Sequence, residues 1–98
     1  MDEFFFDGVD AATIRREKDK ARKLRQTKWW QSQLNSGYCY YCNQKFTAKE
    51  LTMDHITPLA RGGQSTKGNI VAACKGCNSK KQSMLPLEWH EYMESLER

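Results

Sequence analysis

Two C-x-x-C pairs, Cys39/Cys42 and Cys74/Cys77, constrain this 98-residue chain more than any other feature. Four thiolates match tetrahedral zinc, at about 2.3 Å for each Zn–S bond. A chain this short buries a modest core and needs a staple, and zinc binding contributes directly to folding. With all four positions filled by protein, the zinc is expected to be structural, with no open place for water. Four reduced core thiols or a redox pair are the other readings; two matched pairs favour the metal. The start, MDEFFFDGVD, has no basic segment and no long apolar one, so it does not read as a secretory signal. The chain has no apolar run of about 18 residues that would span a membrane. The expected setting is therefore cytoplasmic, where such cysteines bind metal more often than they pair.

Residues 43–73, 31 positions, separate the two pairs. That exceeds the roughly 15–20 of a compact zinc ribbon. Zinc would therefore clamp the base of an inserted hairpin. Leu51 to Ile56 alternates and is β-prone, so it reads as a strand; Pro58 to Gly68 reads as a loop; Ile70 to Ala73 reads as a second strand returning antiparallel. Tyr38 to Cys42 reads as a short strand entering a metal-binding turn that Lys45-Phe46 leaves. Residues 74–83 read as a helix starting at or just after the second cysteine pair. Residues 86–97 read as a last helix with Pro86 in its first turn and Trp89, Tyr92, Met93 and Leu96 as its apolar stripe.

Upstream, residues 10–35 lack Pro and Gly and are rich in good helix formers, which predicts one long helix. Asp10 or Thr13 would cap it, and Asn35-Ser36-Gly37 would end it. Trp29 and Trp30 read as core. Phe4-Phe5-Phe6 suits docking on the domain or on a partner. Net charge is +4, with acidic ends around a basic middle. Residues 15–28 alone carry eight Lys or Arg, Arg22 and Arg25 among them, against Glu17 and Asp19. Such a middle suits a polyanion, and it equally reads as a solvated helix face with Asp19 and Lys23 paired. Together these segments make one α+β domain over 1–98: an N-terminal extension and basic helix (1–36), a zinc-clamped core (37–84) and a C-terminal helix (85–98).

The hairpin contains LTMDHITPLARGG, residues 51–63. A regular strand places Asp54 and His55 on opposite faces, but the Pro58 and Gly62-Gly63 loop suits a distorted strand end. A carboxylate is a hard ligand for Mg²⁺ or Mn²⁺, and a neutral imidazole can take a proton from water. Asn69 ends the loop and Asn78 follows Cys77, where its amide oxygen suits a metal. Arg61, Lys67, Lys75, Lys80 and Lys81 surround these residues in sequence. Each also has a plain reading: a structural histidine, turn residues, and Asn78 as a helix cap. His90, between Glu88 and Glu91, reads as a surface residue.

C-x-x-C, then D-H-I-x-P-L-x-R-G-G, then N-I-x-x-x-C-x-x-C-N-x-x-K resembles the HNH endonuclease family, across about residues 37–84. The resemblance implies the ββα-metal fold; the helices on either side do not contribute to it. It implies His55 as the general base, Asp54 and Asn78 as ligands of one catalytic Mg²⁺ or Mn²⁺, and Asn69 as the residue that ties the loop and orients the histidine. Asn78 stands where the eponymous motif has a second histidine, so the chain is of the H-N-N type. Cys39, Cys42, Cys74 and Cys77 match the zinc-binding subset. The implied substrate is DNA, expected to be double-stranded, met by Arg22, Arg25, Arg61, Lys75, Lys80 and Lys81. A non-catalytic zinc module that binds DNA, or one that binds protein, are the competing readings. A protein partner or a homodimer, and the target sequence, stay open. The clamp predicts one zinc per folded chain; metal analysis of a folded preparation giving well under one would remove it.

Overall fold

The computed structural model describes residues 8–97, so the docking expected of Phe4-Phe5-Phe6 lies outside the described residues. Helix α1 spans Ala11–Leu24 and is capped by Asp10, whose carboxylate accepts from the Thr13 N–H at 2.8 Å. Asp19 pairs with Arg22 at 3.0 Å and not with Lys23. The single helix expected over 10–35 is in fact two. Helix α2 covers Lys28–Ser36, after a break at residues 25–27. Thr27 makes the break: its hydroxyl donates to the Leu24 carbonyl at 2.6 Å and accepts from the Trp30 N–H at 3.2 Å. The cause is tertiary. At 100° per residue, Trp30 would sit about 160° around a continuous helix from Ile14. Ile14, Ala21 and Trp30 are all buried, so the chain turns to bury both faces.

Gly37 ends α2 in the left-handed region at φ 81°. An added Cβ there would stand 3.3 Å from the Phe46 carbonyl oxygen, so glycine suits both the turn and the contact. The chain then makes a tight knuckle. Tyr38 and Lys45 form a single bridge, and Cys39 N–H donates to the Gln44 carbonyl at 3.0 Å.

Strand β1 (Leu51–His55) pairs antiparallel with β2 (Ile70–Cys74), with Leu51 opposite Cys74 and His55 opposite Ile70. This is the expected hairpin, with Ile56 just past β1 still donating to the Asn69 carbonyl at 2.9 Å. Its loop holds two short 3-10 turns, Leu59–Arg61 and Lys67–Asn69. Helix α3 (Lys75–Lys81) starts inside the second cysteine pair: Cys74 is its cap and Cys77 lies within it. Helix α4 (Pro86–Ser95) buries Trp89, while Leu96, expected in its apolar stripe, is exposed. Trp30, Leu51, Ile70, Trp89 and the cysteines form one core between the knuckle, the hairpin and the helices.

None of the described helices is long and apolar enough to cross a membrane. Trp30→Ala is expected to cost about 3–5 kcal/mol, since it empties the centre of this core. Urea denaturation at matched metal content measures it; a loss below about 1 kcal/mol would contradict the placement.

Candidate active site

The four cysteines converge. Their sulfurs lie within 4.8 Å of one another, and Cys42 Sγ stands 4.0 Å from Cys74 Sγ. Bonds of 2.3 Å to one tetrahedral ion imply S···S separations of roughly 3.8 Å, so the donor set fits a metal ion. Backbone N–H groups of Tyr41 and Cys42 point at Cys39 Sγ, at 3.3 and 3.5 Å, and Cys77 N–H points at Cys74 Sγ at 3.4 Å. Burial pushes the Cys39 thiol up, but backbone N–H groups of Cys42, Cys74 and Tyr41 outweigh it and bring it to about 7. A thiolate held this way is a ready ligand.

Asp54 is 8% exposed. Its Oδ2 accepts from the Tyr41 hydroxyl at 2.5 Å and pairs with Lys81 Nζ at 3.3 Å. Burial, and then the hydrogen bond to Asp54, push the Tyr41 hydroxyl upward, so it stays protonated and donates. Lys81 is fully buried and also donates to the His55 carbonyl at 3.0 Å. Among the described residues, Asp54 Oδ1 takes no hydrogen bond. Thr52 lies two residues earlier and so on the same face of β1. Its hydroxyl donates to the Ala73 carbonyl at 3.0 Å, so it can only accept from Asn78 Nδ2, also at 3.0 Å. That fixes the Asn78 amide with Nδ2 toward Thr52, leaving Oδ1 as its outward end. Asp54 Oδ1 and Asn78 Oδ1 are thus each left without a hydrogen bond among the described residues, and both are of the hard oxygen type that suits a divalent ion.

His55 follows on the other face, half-buried, with Nε2 at 2.9 Å from Ser65 Oγ. Burial, chiefly, holds the imidazole below its usual value; the Arg25 and Lys81 charges act the same way, against Asp54 and Glu17. The shift favours the neutral imidazole, the form that can take up a proton. Asn69 spans the loop: its Oδ1 accepts from Thr57 N–H at 2.8 Å, and its Nδ2 donates to the carbonyls of Thr57 at 3.0 Å and Gln64 at 2.8 Å. A Cβ on Gly63 would meet the Thr57 carbonyl oxygen at 1.7 Å, so this close approach excludes any side chain.

The HNH endonuclease family model matches residues 39–91, which contain the knuckle, both strands and α3. The chain belongs to the HNH endonuclease family. The match runs on through Glu91 into α4, so that helix is part of it, contrary to the expectation that only the core carries the resemblance. The chain is also 43% identical over 44 residues to a CRISPR-associated endonuclease Cas9 of Corynebacterium diphtheriae; the aligned stretch is 44% of this chain and 4% of that protein.

Of the six basic residues expected on the nucleic-acid surface of this HNH chain, Arg22 makes an exposed pair with Asp19, and two more, Lys81 and Arg61, are tied into the fold. Lys81 is turned inward onto Asp54. Arg61 holds both oxygens of Glu88, at 3.1 and 3.3 Å, and the Ser83 carbonyl, so it fastens the loop to the start of α4. Arg22, Arg25, Lys75 and Lys80 are exposed. Tyr41, Thr52, Ser65 and Glu17 are the residues that sequence reasoning missed. Thr52 had a signal, its two-residue spacing from Asp54; Ser65 and Glu17 had none.

Removing one partner of a buried ion pair leaves the other charge uncompensated. Lys81→Ala is therefore expected to cost about 3–5 kcal/mol, whereas Lys80→Ala should stay within about 0.5 kcal/mol. Comparing their urea midpoints tests this; equal losses would mean that Lys81 is not paired inside the protein.

Proposed function

We propose that this chain is a metal-dependent DNA endonuclease that hydrolyses phosphodiester bonds. His55 is the general base, and Asp54 and Asn78 hold one Mg²⁺ or Mn²⁺. Structural zinc occupies the four cysteines. The observation that carries the reading is that Asp54 Oδ1 and Asn78 Oδ1 take no hydrogen bond among the described residues, while burial favours the neutral form of His55 at the end of the same strand.

His55 removes a proton from the attacking water. Its Nε2 is engaged by Ser65, so Nδ1 is the nitrogen that receives that proton. When bound, the divalent ion supplies Lewis-acid stabilisation of the charge developing on phosphate and leaving oxygens. Arg25 is exposed and its charge is felt at His55, so it is placed with the residues that meet the DNA phosphates. Arg22, Lys75 and Lys80 contact the phosphate backbone, which positions duplex DNA without reading its sequence. Arg61 and Lys81 have structural roles instead. Asn69 keeps the loop closed and so supports the histidine. The products expected from the family resemblance are a 5′-phosphate and a 3′-hydroxyl.

The test is cleavage of supercoiled plasmid with Mg²⁺ or Mn²⁺, wild type against His55→Ala at equal zinc content. Wild type is expected to cut and EDTA to stop it. His55→Ala should lose at least about 100-fold in rate while still binding DNA. Both proteins inert on several DNA forms would shift the reading to a non-catalytic zinc module that binds DNA. Both cutting alike would remove His55 from the chemistry.

A further inference from the structure

We propose that helix α1 is a positioning element for His55, acting through a hydrogen-bond relay from the Glu17 backbone carbonyl to Ser65 to the imidazole. The proposal rests on His55 being the general base, and it adds residues that lie before the family match or carry no motif of their own.

Ser65 is 6% exposed and Glu17 7%. They sit 48 residues apart in sequence and meet at two points. Ser65 N–H donates to Glu17 Oε1 at 2.6 Å, and Ser65 Oγ donates to the Glu17 carbonyl oxygen at 2.6 Å. Lys20 holds the other Glu17 oxygen at 2.9 Å. A serine hydroxyl has one proton, and a carbonyl oxygen can only accept. Ser65 has therefore spent its proton on Glu17, and toward His55 it can only accept. At 2.9 Å from Oγ, Nε2 must be the protonated nitrogen. A neutral imidazole carries one ring proton, so Nδ1 keeps its lone pair.

The relay does two things for the base. It selects the tautomer with an open Nδ1, and it holds the ring by the far nitrogen, as buried partners hold metal-binding and catalytic histidines elsewhere. Small displacements of a catalytic group cost rate out of proportion to their size. Ser65 and the Glu17 carbonyl touch neither substrate nor metal in this scheme; they act through His55.

The test combines ring-nitrogen NMR of the zinc-loaded full chain with cleavage kinetics. In wild type at pH 8, His55 is expected to be protonated on Nε2, with a ring N–H signal protected from solvent exchange. Ser65→Ala should lose that protected signal. It should also lower kcat by about 10- to 100-fold with KM little changed, at unaltered zinc content and far-UV circular dichroism. Ser65→Thr, which keeps the hydroxyl, should restore most of both. Glu17→Ala approaches from the other end: it removes the anchor on Ser65 N–H and should weaken the same signal. Wild-type His55 protonated on Nδ1 overturns the relay, as does a Ser65→Ala protein with wild-type kcat and an intact Nε2–H signal. If wild type cuts no DNA at all, the nuclease reading fails by itself, and the NMR comparison still decides the relay.

Discussion

Cys74 is where the structure is tied together. It is the last residue of β2, the cap of α3 and one of four converging sulfurs. Its partner across the hairpin is Leu51, the first residue of β1. The knuckle reaches the same strand independently, since Tyr40 N–H donates to the Ala72 carbonyl at 2.9 Å. The sulfur cluster thus joins the base of the hairpin, the start of the helix and the knuckle at one point. The distances within the site, from Thr52 to Asn78 and from Asp54 to Lys81, follow from that junction, because each pair has one member on β1 and one on α3.

Two hydroxyls set the direction of the polar groups around the junction. Thr52 donates to Ala73 and so turns the Asn78 amide; Ser65 donates to Glu17 and so faces the imidazole as an acceptor. In both cases a backbone carbonyl absorbs the only proton, and what remains of the hydroxyl has a single polarity. No buried side-chain nitrogen or oxygen among the described residues lacks a partner. A polar network this complete orders its members as well as satisfying them.

The cysteine pairs, the two strands and their antiparallel return are legible in the sequence because each carries its own local chemistry: ligand spacing, β-prone alternation, and a Gly-rich loop between. The break between α1 and α2 is not, since every residue from 10 to 35 tolerates helix and the deciding force is the burial of Trp30 on the wrong side of a straight rod. Lys81 reads as one more surface base beside Lys80. Its position four residues after buried Cys77, on the same helix face, was the sign that it points inward. Arg61 reads as a phosphate contact because its partner, Glu88, is 27 residues away and no pattern links them. Glu17 is hidden for the same reason, as its contacts with Ser65 are made wholly through the folded chain. Asp54, His55, Asn69 and Asn78 stand out by residue type and order, but which oxygen or nitrogen each leaves available follows only from neighbours that the motif does not name.

Helix α3 has seven residues, fewer than an isolated helix needs to persist in water. Its first turn is held by the Cys74 cap and its last by Lys81 beneath the hairpin. It therefore has little existence apart from the sulfur cluster. An ion gathering the four thiolates would fix the base of the hairpin and the start of α3 at one point, and would close the loop of 31 residues between the pairs. Helix α3, and with it the Asn78 end of the site, thereby depends on the junction where the two distant cysteine pairs meet.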